Sequence, residues 1–460
     1  MIHFSLKGKA WAWFAFLFLI STLSNAQDIT SELDALMNKQ FKENEPGAVA
    51  LVVKNGTPIY RKAFGMADLE HTIQMTPEHV FGIGSMTKQF TAVAILMLVE
   101  QGSLSLQDSI TKFITDYPTK GHTITIHHLL THTSGVKSYT ELEKWRKIWR
   151  NDLTTQEMID VFKDEPMDFA PGEAWHYSNS GYFLLGVIIE KVARMSYGEF
   201  VERKIFEPLD MKNTYYGSRS RIIPNRAMGY QFGREYRNAE YLSHTQPFSA
   251  GAIMSTVDDL WKWQVAIQNN ILVKSETIAK AFTNHPLKNG KPTYYGYGWM
   301  LDEVNGSLTH EHSGGIFGYS SNAIHLPKED VYIVVLSNCN CNSPVEVSIR
   351  MAAVAIGKPF PEPTAKIKLD EKYAKSLVGV YNFDDGSVRE ITLEDGQFYS
   401  QRTGSSKLKI FPQDKNAFTF ESGLTSLHFI LERGKVSSVV FKNRIVEANG
   451  KRAKSSLAGK

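Results

Sequence analysis

Two β-hairpins are predicted from runs of apolar, often β-branched residues near the two ends of a long central stretch. The run Gly47–Val53 is followed by Asn55-Gly56 and then by a second run, Ile59–Phe64. Asn-Gly between two such runs is the strongest short-range hairpin signal, because both residues accept the positive φ angles of a type I′ turn. The runs Ala323–Leu326 and Val331–Leu336 form the second predicted hairpin.

Helical periodicity dominates the residues between the two hairpins. Apolar residues recur at helical spacing from Met86 to Leu98, and the opposite side of this helix is also apolar. A helix that is apolar almost all round is buried, and Gly102 is placed to end it. Tyr182–Ala193 and Pro344–Ile356 are predicted as further helices. We therefore expect an α+β fold, in which an antiparallel sheet built from both ends of the domain is flanked by helices and carries a helical subdomain.

The pattern changes after a proline-rich stretch, residues 357–369, which we interpret as a linker between a main domain (27–356) and an accessory domain (370–460). Seven short strands are predicted beyond it: Gly379–Phe383, Val388–Leu393, Phe398–Gln401, Leu408–Phe411, Phe418–Phe420, Leu427–Leu431 and Val436–Phe441. Short strands at this regular spacing indicate a small all-β barrel or sandwich. This domain has no recognisable nucleophile–base pattern, so we consider binding of a ligand or partner as its function.

The first 26 residues resemble a secretory signal peptide. Lys7 and Lys9 precede the apolar block Trp11–Leu23, and Ser24-Asn25-Ala26 provides an A-x-A-like cleavage site. The block is shorter than the ~20 residues that a membrane-spanning helix needs. We predict cleavage after Ala26, with an uncleaved anchor as the alternative, and no transmembrane segment in the mature chain. The protein is then expected to be exported to the periplasm or the extracellular space.

Composition and charge exclude several classes of function. The formal net charge is only +3, with 51 Lys+Arg against 48 Asp+Glu, so nucleic acid is not an expected partner. Cys339 and Cys341 are two residues apart, a separation at which a bridge is usually strained; we expect two unpaired, half-buried side chains, with a disulfide as the alternative. The histidines lack a flanking pattern such as H-E-x-x-H, so we expect no metal and no cofactor.

A serine and a lysine open the buried helix, in the segment Ser85-Met86-Thr87-Lys88. Because three residues make nearly one helical turn, both side chains share a face. A serine hydroxyl becomes a nucleophile when a base takes its proton, and a lysine is such a base only when its pKa falls far below ~10.4. Burial and the positive end of the helix dipole both lower it. The alternative is an ordinary N-cap serine followed by a solvated lysine.

Two further short motifs lie at element boundaries. Tyr177-Ser178-Asn179 precedes a predicted helix; its tyrosine can relay a proton if nearby cations lower its pKa from ~10, and its asparagine amide can contact a substrate carbonyl. His312-Ser313-Gly314-Gly315 precedes a strand, and its glycines let backbone approach a ligand closely. Each motif taken alone is also explained by an ordinary turn.

Taken together and in this order, the three motifs resemble those of the penicillin-recognising serine hydrolases: class C β-lactamases, low-molecular-mass penicillin-binding proteins, and related esterases and D-aminopeptidases. The segments that carry the resemblance are Gly84–Phe90, Leu129–Gly135, Pro171-Gly172 with Tyr177–Tyr182, and His312–Gly314. The resemblance covers roughly residues 40 to 356 and does not include the C-terminal tail.

The resemblance implies a role for each matching residue. Ser85 would be the acyl-forming nucleophile, and Lys88 and Tyr177 would share general-base and general-acid work. Asn179 would contact the substrate carbonyl, and the N–H groups of Ser85 and Gly315 would form the oxyanion hole.

One residue departs from the family pattern. His312 stands where the family has a lysine, in Lys-Thr-Gly. A histidine is mostly neutral at pH 7, so it attracts a substrate carboxylate less than a lysine does. We therefore expect an exported serine hydrolase of small esters, amides or D-amino-acid peptides. The alternatives are a D,D-carboxypeptidase or β-lactamase, and a catalytically idle binding module with the same fold.

Overall fold

A computed structural model describes residues 29–218 and 220–453. The expected signal peptide, residues 1–26, lies outside the described residues. The described residues divide into two compact units, of which the first contains those up to Leu301 together with Leu308–Ile356. The second contains Asp302–Ser307 and the described residues from Gly357 onward.

Thirteen strands precede residue 338 within the described ranges. In chain order they are β1 (Ala48–Lys54), β2 (Thr57–Phe64), β3 (Met66–Asp68), β4 (Ile73–Gln74), β5 (Phe81–Gly82), β6 (Tyr215–Tyr216), β7 (Tyr230–Phe232), β8 (Tyr236–Asn238), β9 (Ile253–Ser255), β10 (Met300–Val304), β11 (Ser307–Ile316), β12 (Tyr319–Leu326) and β13 (Val331–Ser337). Six of them form one antiparallel sheet in the order β10–β11–β12–β13–β1–β2. Both predicted hairpins are confirmed, as β1–β2 and β12–β13, and β1 joins them by pairing with β13.

The helices of this part of the chain pack on the sheet and on one another. They are α1 (29–40), α2 (Thr87–Glu100), α3 (Ile126–Leu130), α4 (Glu143–Arg146), α5 (Thr155–Phe162), α6 (Asn179–Ala193), α7 (Tyr197–Val201), α8 (Phe248–Gly251), α9 (Val257–Gln268), α10 (Ser275–Ile278) and α11 (Val345–Ala355). The α+β prediction is confirmed. None of the described helices has both the length and the apolar character that crossing a bilayer requires.

Helix α2 is the centre of the hydrophobic core. From Thr87 to Leu98 all but one of its side chains are buried, which confirms the prediction of a helix enclosed on all sides. It ends where expected, with Gly102 at φ +70° just beyond its last turn. Helix α6 starts earlier than predicted, because the Ser178 side chain accepts a hydrogen bond from the N–H of Gly181 and caps it. Asn179 therefore lies in the first turn of a helix.

The C-terminal region is a closed barrel of eight strands preceded by a short helix, α12 (Glu371–Leu377). The strands are β14 (Gly379–Phe383), β15 (Val388–Glu394), β16 (Gln397–Arg402), β17 (Lys407–Pro412), β18 (Ala417–Phe420), β19 (Thr425–Glu432), β20 (Lys435–Asn443) and β21 (Val446–Arg452). Strand β21 was not predicted from the sequence, and it closes the barrel by pairing with β14 and β20. The interior is filled by buried aromatic rings, among them Phe398, Phe418 and Phe429.

The expectation of two unpaired cysteines is wrong, because Cys339 and Cys341 form a disulfide. The turn that follows β13 brings their Cα atoms to 5.1 Å, within the range that a bridge spans. The sequence separation of two residues does not show whether the cysteines can pair, because the distance between their Cα atoms depends on the conformation of the turn. Cys339 is also fully buried rather than half-buried.

Candidate active site

The nucleophile candidate lies on a tight turn between a strand and the buried helix. Residues Gly84–Met86 form a single turn of 3-10 helix between β5 and α2, so Ser85 comes just before the α-helix rather than inside it. Gly84 has φ +53°, and a Cβ atom there would lie 2.9 Å from the backbone nitrogen of Gly315. Only glycine fits this position, and the consequence is that Ser85 sits directly beside β11.

Lys88 lies one turn further along and is completely buried. Its Nζ is 3.2 Å from Ser85 Oγ, 2.8 Å from Asn179 Oδ1 and 2.9 Å from the carbonyl oxygen of Ala250. Burial holds the pKa of this amine well below its ordinary value. A neutral amine has two N–H bonds and one lone pair. The Asn179 and Ala250 oxygens can accept the two N–H bonds, which leaves the lone pair to accept the Ser85 proton.

The Tyr177 ring covers the other side of this amine. Lys88 Nζ lies 4.7 Å from the centre of the ring, and the phenol oxygen is enclosed although the residue as a whole is half-buried. Burial raises the pKa of Tyr177, with the Ser85 hydroxyl acting weakly in the opposite direction. Within the described ranges the phenol oxygen makes no hydrogen bond of good geometry, although it lies next to Ser85. The condition under which Tyr177 would relay a proton, a pKa lowered by nearby cations, is not met, because desolvation of the phenol dominates.

The Asn179 side chain is held at both ends of its carboxamide. Oδ1 accepts a hydrogen bond from Lys88, and Nδ2 donates one to Thr140 Oγ1 at 3.1 Å. Its backbone N–H donates to Ser138 Oγ at 3.1 Å. These contacts fix its orientation and leave the second Nδ2 hydrogen for a substrate carbonyl.

The third motif lies on β11, and its glycines make the contact with the nucleophile turn. A Cβ atom at Gly314 would lie only 2.0 Å from the carbonyl oxygen of Ile83, whereas one at Gly315 would meet nothing within 4 Å. Gly315 is exposed and, with Ser85, lines a cavity of about 200 Å³. The N–H groups of Ser85 and Gly315 thus border the same space, as an oxyanion hole requires.

His312, on the same strand, is buried and does not line the cavity. Its Nε2 lies 3.0 Å from the hydroxyl of Tyr295, and its Nδ1 lies 2.6 Å from the carbonyl oxygen of Ser313. Burial lowers the pKa of His312 to about 3. The imidazole is therefore neutral, and Ser313 beside it is half-buried.

Aromatic side chains form much of the remaining cavity wall. Tyr139, Trp145 and Phe317 line it together with Leu242 and Ile316. Tyr139 and Trp145 contact each other edge to face, with ring centres 5.5 Å apart. Such a wall favours an apolar group next to the reacting carbonyl.

Several residues that complete the site were not found from the sequence. Ala250 acts through its carbonyl oxygen, which any residue type provides, so no sequence signal marks it. Ser138 and Thr140 hold Asn179, and Tyr295 holds His312. His132 is a buried histidine bonded to backbone, since its Nδ1 accepts the N–H of Ser178 at 3.0 Å.

Two groups among the described residues bring three potential metal ligands together, and neither contains a predicted site residue. They are Asp68 with Glu70 and His71, and Glu141 with Asp168 and His176. In the second group both carboxylates already pair with Lys137, at 2.9 and 3.0 Å.

Comparison with known proteins identifies the family of this chain. Residues 29–357 match the family model for Beta-lactamase. Penicillin-binding protein 4* of Bacillus subtilis is 28% identical over 441 residues, which cover 90% of this chain and 96% of that protein. A crystal structure of an octameric penicillin-binding protein homologue from Pyrococcus abyssi is 28% identical with a TM-score of 0.64, covering 92% of this chain and 99% of that one.

A D-stereospecific amidohydrolase from Streptomyces sp. is 25% identical with a TM-score of 0.60, covering 69% of this chain and 97% of that chain. The matched region contains all three motifs of the candidate site. The chain therefore belongs to the Beta-lactamase family and is a β-lactamase-related serine hydrolase.

Proposed function

We propose that this protein is an exported enzyme that hydrolyses small esters, amides or D-amino-acid peptides through an acyl intermediate on Ser85. The observation that carries the proposal is the Lys88 amine. It is buried, its pKa is strongly lowered, its two N–H bonds have acceptors, and its remaining side faces Ser85 Oγ at 3.2 Å. A neutral amine in that position is a general base.

Acylation follows from this arrangement. Ser85 Oγ attacks the substrate carbonyl carbon while its proton passes to Lys88 Nζ. The N–H groups of Ser85 and Gly315 donate hydrogen bonds to the oxyanion that forms. Tyr177, whose raised pKa keeps its phenol protonated, donates its proton to the leaving group as the bond to the carbonyl carbon breaks. The Lys88 ammonium then returns a proton to the Tyr177 oxygen.

Deacylation uses the same groups in reverse. A water molecule attacks the acyl carbonyl carbon and gives a proton to the neutral Lys88 amine. The bond to Ser85 Oγ breaks, and the proton returns to that oxygen. Each proton transfer in this sequence has a residue of the chain to perform it, so the proposal needs no metal and no organic cofactor.

The substrate class rests on His312. The neutral, buried imidazole offers no positive charge to a substrate carboxylate, which favours substrates without a carboxylate at that place. The similarity to a D-stereospecific amidohydrolase supports amides and D-amino-acid peptides. The similarity to penicillin-binding protein 4* over nearly the whole chain supports a second candidate, a D,D-carboxypeptidase or β-lactamase.

Export is supported by two features. The first 26 residues have the pattern of a signal peptide. The Cys339–Cys341 disulfide suits an oxidising compartment such as the periplasm or the extracellular space.

The test compares turnover of p-nitrophenyl esters and D-amino-acid amides by the wild type and by Ser85→Ala. We expect Ser85→Ala to lower kcat/KM by a factor of about 10³ or more. Ser109→Ala is the matched control, because Ser109 precedes Lys112 with the same spacing but lies outside the cavity; it should retain full activity.

A fluorescent penicillin separates the two candidate substrate classes. Ester turnover without a covalent band supports the proposed function, whereas a band that Ser85→Ala abolishes favours the carboxypeptidase or β-lactamase. If the wild type turns over no ester, amide or peptide, and both proteins bind substrate analogues equally, the chain is an idle binding module.

A further inference from the structure

A second compartment adjoins the cavity at Ser85. It has a volume of about 230 Å³. The two spaces share part of their walls, namely Leu242, Pro247, Gly251, Ile316 and Phe317. Gly82, which comes three residues before Ser85, lines the second compartment as well. The second compartment is therefore adjacent to the space beside Ser85.

The walls of the second compartment are mostly apolar, with one uncommitted charge among the described lining residues. Arg226 is exposed there, and its side chain makes no ion pair or hydrogen bond within the described ranges. Glu240 also lines this space, but its carboxylate pairs with Arg150 at 2.9 Å. The guanidinium of Arg226 is thus the charged group that remains for a ligand.

A second polar group of the same compartment also lacks a partner. The Nδ1 atom of His244 is enclosed and makes no hydrogen bond within the described ranges. Burial lowers the pKa of His244 to about 4, and Arg226 is close enough to act in the same direction. The imidazole is therefore neutral and places no second positive charge beside Arg226.

The side of the scissile bond that faces these compartments follows from Tyr177. In the proposed function Tyr177 protonates the leaving group. Tyr177 lines neither of the two compartments. The leaving group therefore lies on the side of Tyr177, and the two compartments are left for the acyl group.

We propose that the second compartment is an acyl-group subsite for substrates with an apolar, preferably aromatic, acyl chain that ends in a carboxylate. Arg226 binds that carboxylate. The planar guanidinium matches a carboxylate with two parallel hydrogen bonds. The inference rests on the proposed function. In it a negatively charged substrate group is bound by Arg226, on a different wall of the cleft from the position of His312.

The kinetic test uses two p-nitrophenyl esters that share a leaving group, the esters of 3-(4-carboxyphenyl)propanoic acid and of its 4-methoxycarbonyl analogue. We expect the wild type to prefer the carboxylate in kcat/KM by about tenfold, the effect of one charge-assisted contact at a cleft rim. Arg226→Gln should abolish the preference while keeping the methyl ester's kcat/KM within about twofold, and Arg226→Lys should retain part of it. Arg203→Gln, which removes an exposed arginine paired with Glu199, is the charge-matched control.

A binding test distinguishes failure of the subsite from failure of the proposed function. Calorimetry measures the affinity of Ser85→Ala, with and without Arg226→Gln, for two ligands that need not react. The ligands are 3-(4-carboxyphenyl)propanamide and its 4-carbamoyl analogue. Preference for the carboxylate that disappears with Arg226→Gln supports the subsite, even if no ester is turned over. Equal binding of the two ligands by Ser85→Ala, or an unchanged preference without Arg226, overturns it.

Discussion

Lys88 is an amine whose surroundings disfavour its usual positive charge. It lies in the first turn of the most buried helix, its pKa is depressed by burial, and the described residues supply it with oxygen acceptors but with no carboxylate ion pair. A carboxylate partner would stabilise the ammonium and weaken the base. The pH dependence of the reaction should therefore report the protonation of this one group.

We predict that kcat/KM rises with pH through the lowered pKa of Lys88 and then stays level. The amine is a base only when it is neutral, so activity is lost as the pH falls through that pKa. The raised pKa of Tyr177 keeps the phenol protonated beyond its ordinary value of ~10, so no alkaline decline is expected there. A pH profile of D-amino-acid amide hydrolysis, with the Ser85→Ala rate subtracted as background, measures both the acid and the alkaline side. A decline centred near pH 10 would contradict the raised pKa of Tyr177.

Tyr177→Phe should affect poor leaving groups far more than good ones. An amide nitrogen must be protonated as it leaves, whereas p-nitrophenolate leaves without a proton. A positioned acid contributes ~10² to 10⁴ in rate, so we expect that loss of kcat for a D-amino-acid amide and only a small loss for its p-nitrophenyl ester. Equal losses for both substrates would indicate that Tyr177 acts as packing for Lys88 rather than as the acid.

At this scale, the sequence revealed the side chains that react but not their surroundings. Ser85, Lys88 and Asn179 were expected to meet, and hydrogen bonds join them. The carbonyl of Ala250 was not expected, because a backbone contact leaves no trace in residue type. The direction of the Tyr177 shift was left open by the sequence, since it depends on how far the fold removes the phenol from water.

At the scale of elements, the site depends on the distance between β11 and the nucleophile turn. Gly84 and Gly314 have no side chains, so the turn and the strand can approach each other closely. The hydroxyl of Ser321 also donates a hydrogen bond of 2.8 Å to the carbonyl of Ile83. This contact places the N–H of Gly315 beside Ser85. A small displacement of β11 would therefore reduce the stabilisation of the oxyanion without touching any reacting side chain.

Gly314→Ala and Gly315→Ala form a matched pair for this idea. The added methyl group at position 314 would lie 2.0 Å from the Ile83 oxygen, so β11 must move, whereas at position 315 it meets open space. Losing one oxyanion donor costs ~10² to 10³ in kcat, and we expect a loss of that order for Gly314→Ala with a smaller one for Gly315→Ala. Steady-state kinetics with a short ester measures both, and equal kcat values would show that the close packing of β11 does not matter.

The periodic elements were predictable, and those that depend on pairing were not. Helix α2 and the two hairpins follow from their apolar patterns. Strand β21, with the sequence Val-Glu-Ala-Asn-Gly-Lys-Arg, has little apolar alternation and becomes a strand because β14 and β20 flank it. The start of α6 was placed too late, because the signal for it is the single capping hydroxyl of Ser178.

At the scale of the whole molecule, each of the two units has a large hydrophobic core among its described residues. The described residues of the candidate site belong to the first unit. The phenylalanines that fill the barrel therefore stabilise a unit that supplies none of those residues.

We predict that Phe418→Ala destabilises the barrel and leaves kcat/KM for a short ester unchanged. Phe418 is fully buried between Phe398 and Phe429, and deleting such a ring costs ~3 to 5 kcal/mol. Urea unfolding followed by circular dichroism should show the shift in one transition. Ile430→Ala, which shortens an exposed barrel residue, is the control and should shift the transition by less than ~0.5 kcal/mol. Loss of activity in folded Phe418→Ala would show that the barrel supports catalysis.

Closure of the barrel also has a consequence for behaviour at high concentration. Each of its eight strands has a neighbour on both sides. The barrel therefore has no unpaired strand edge to which a strand from another chain could add. The outer strand β2 of the main sheet is interrupted by Pro58, which has no N–H to donate, and it carries Arg61 and Lys62. We expect the closed barrel and the β2 edge to resist edge-to-edge aggregation when the protein is concentrated.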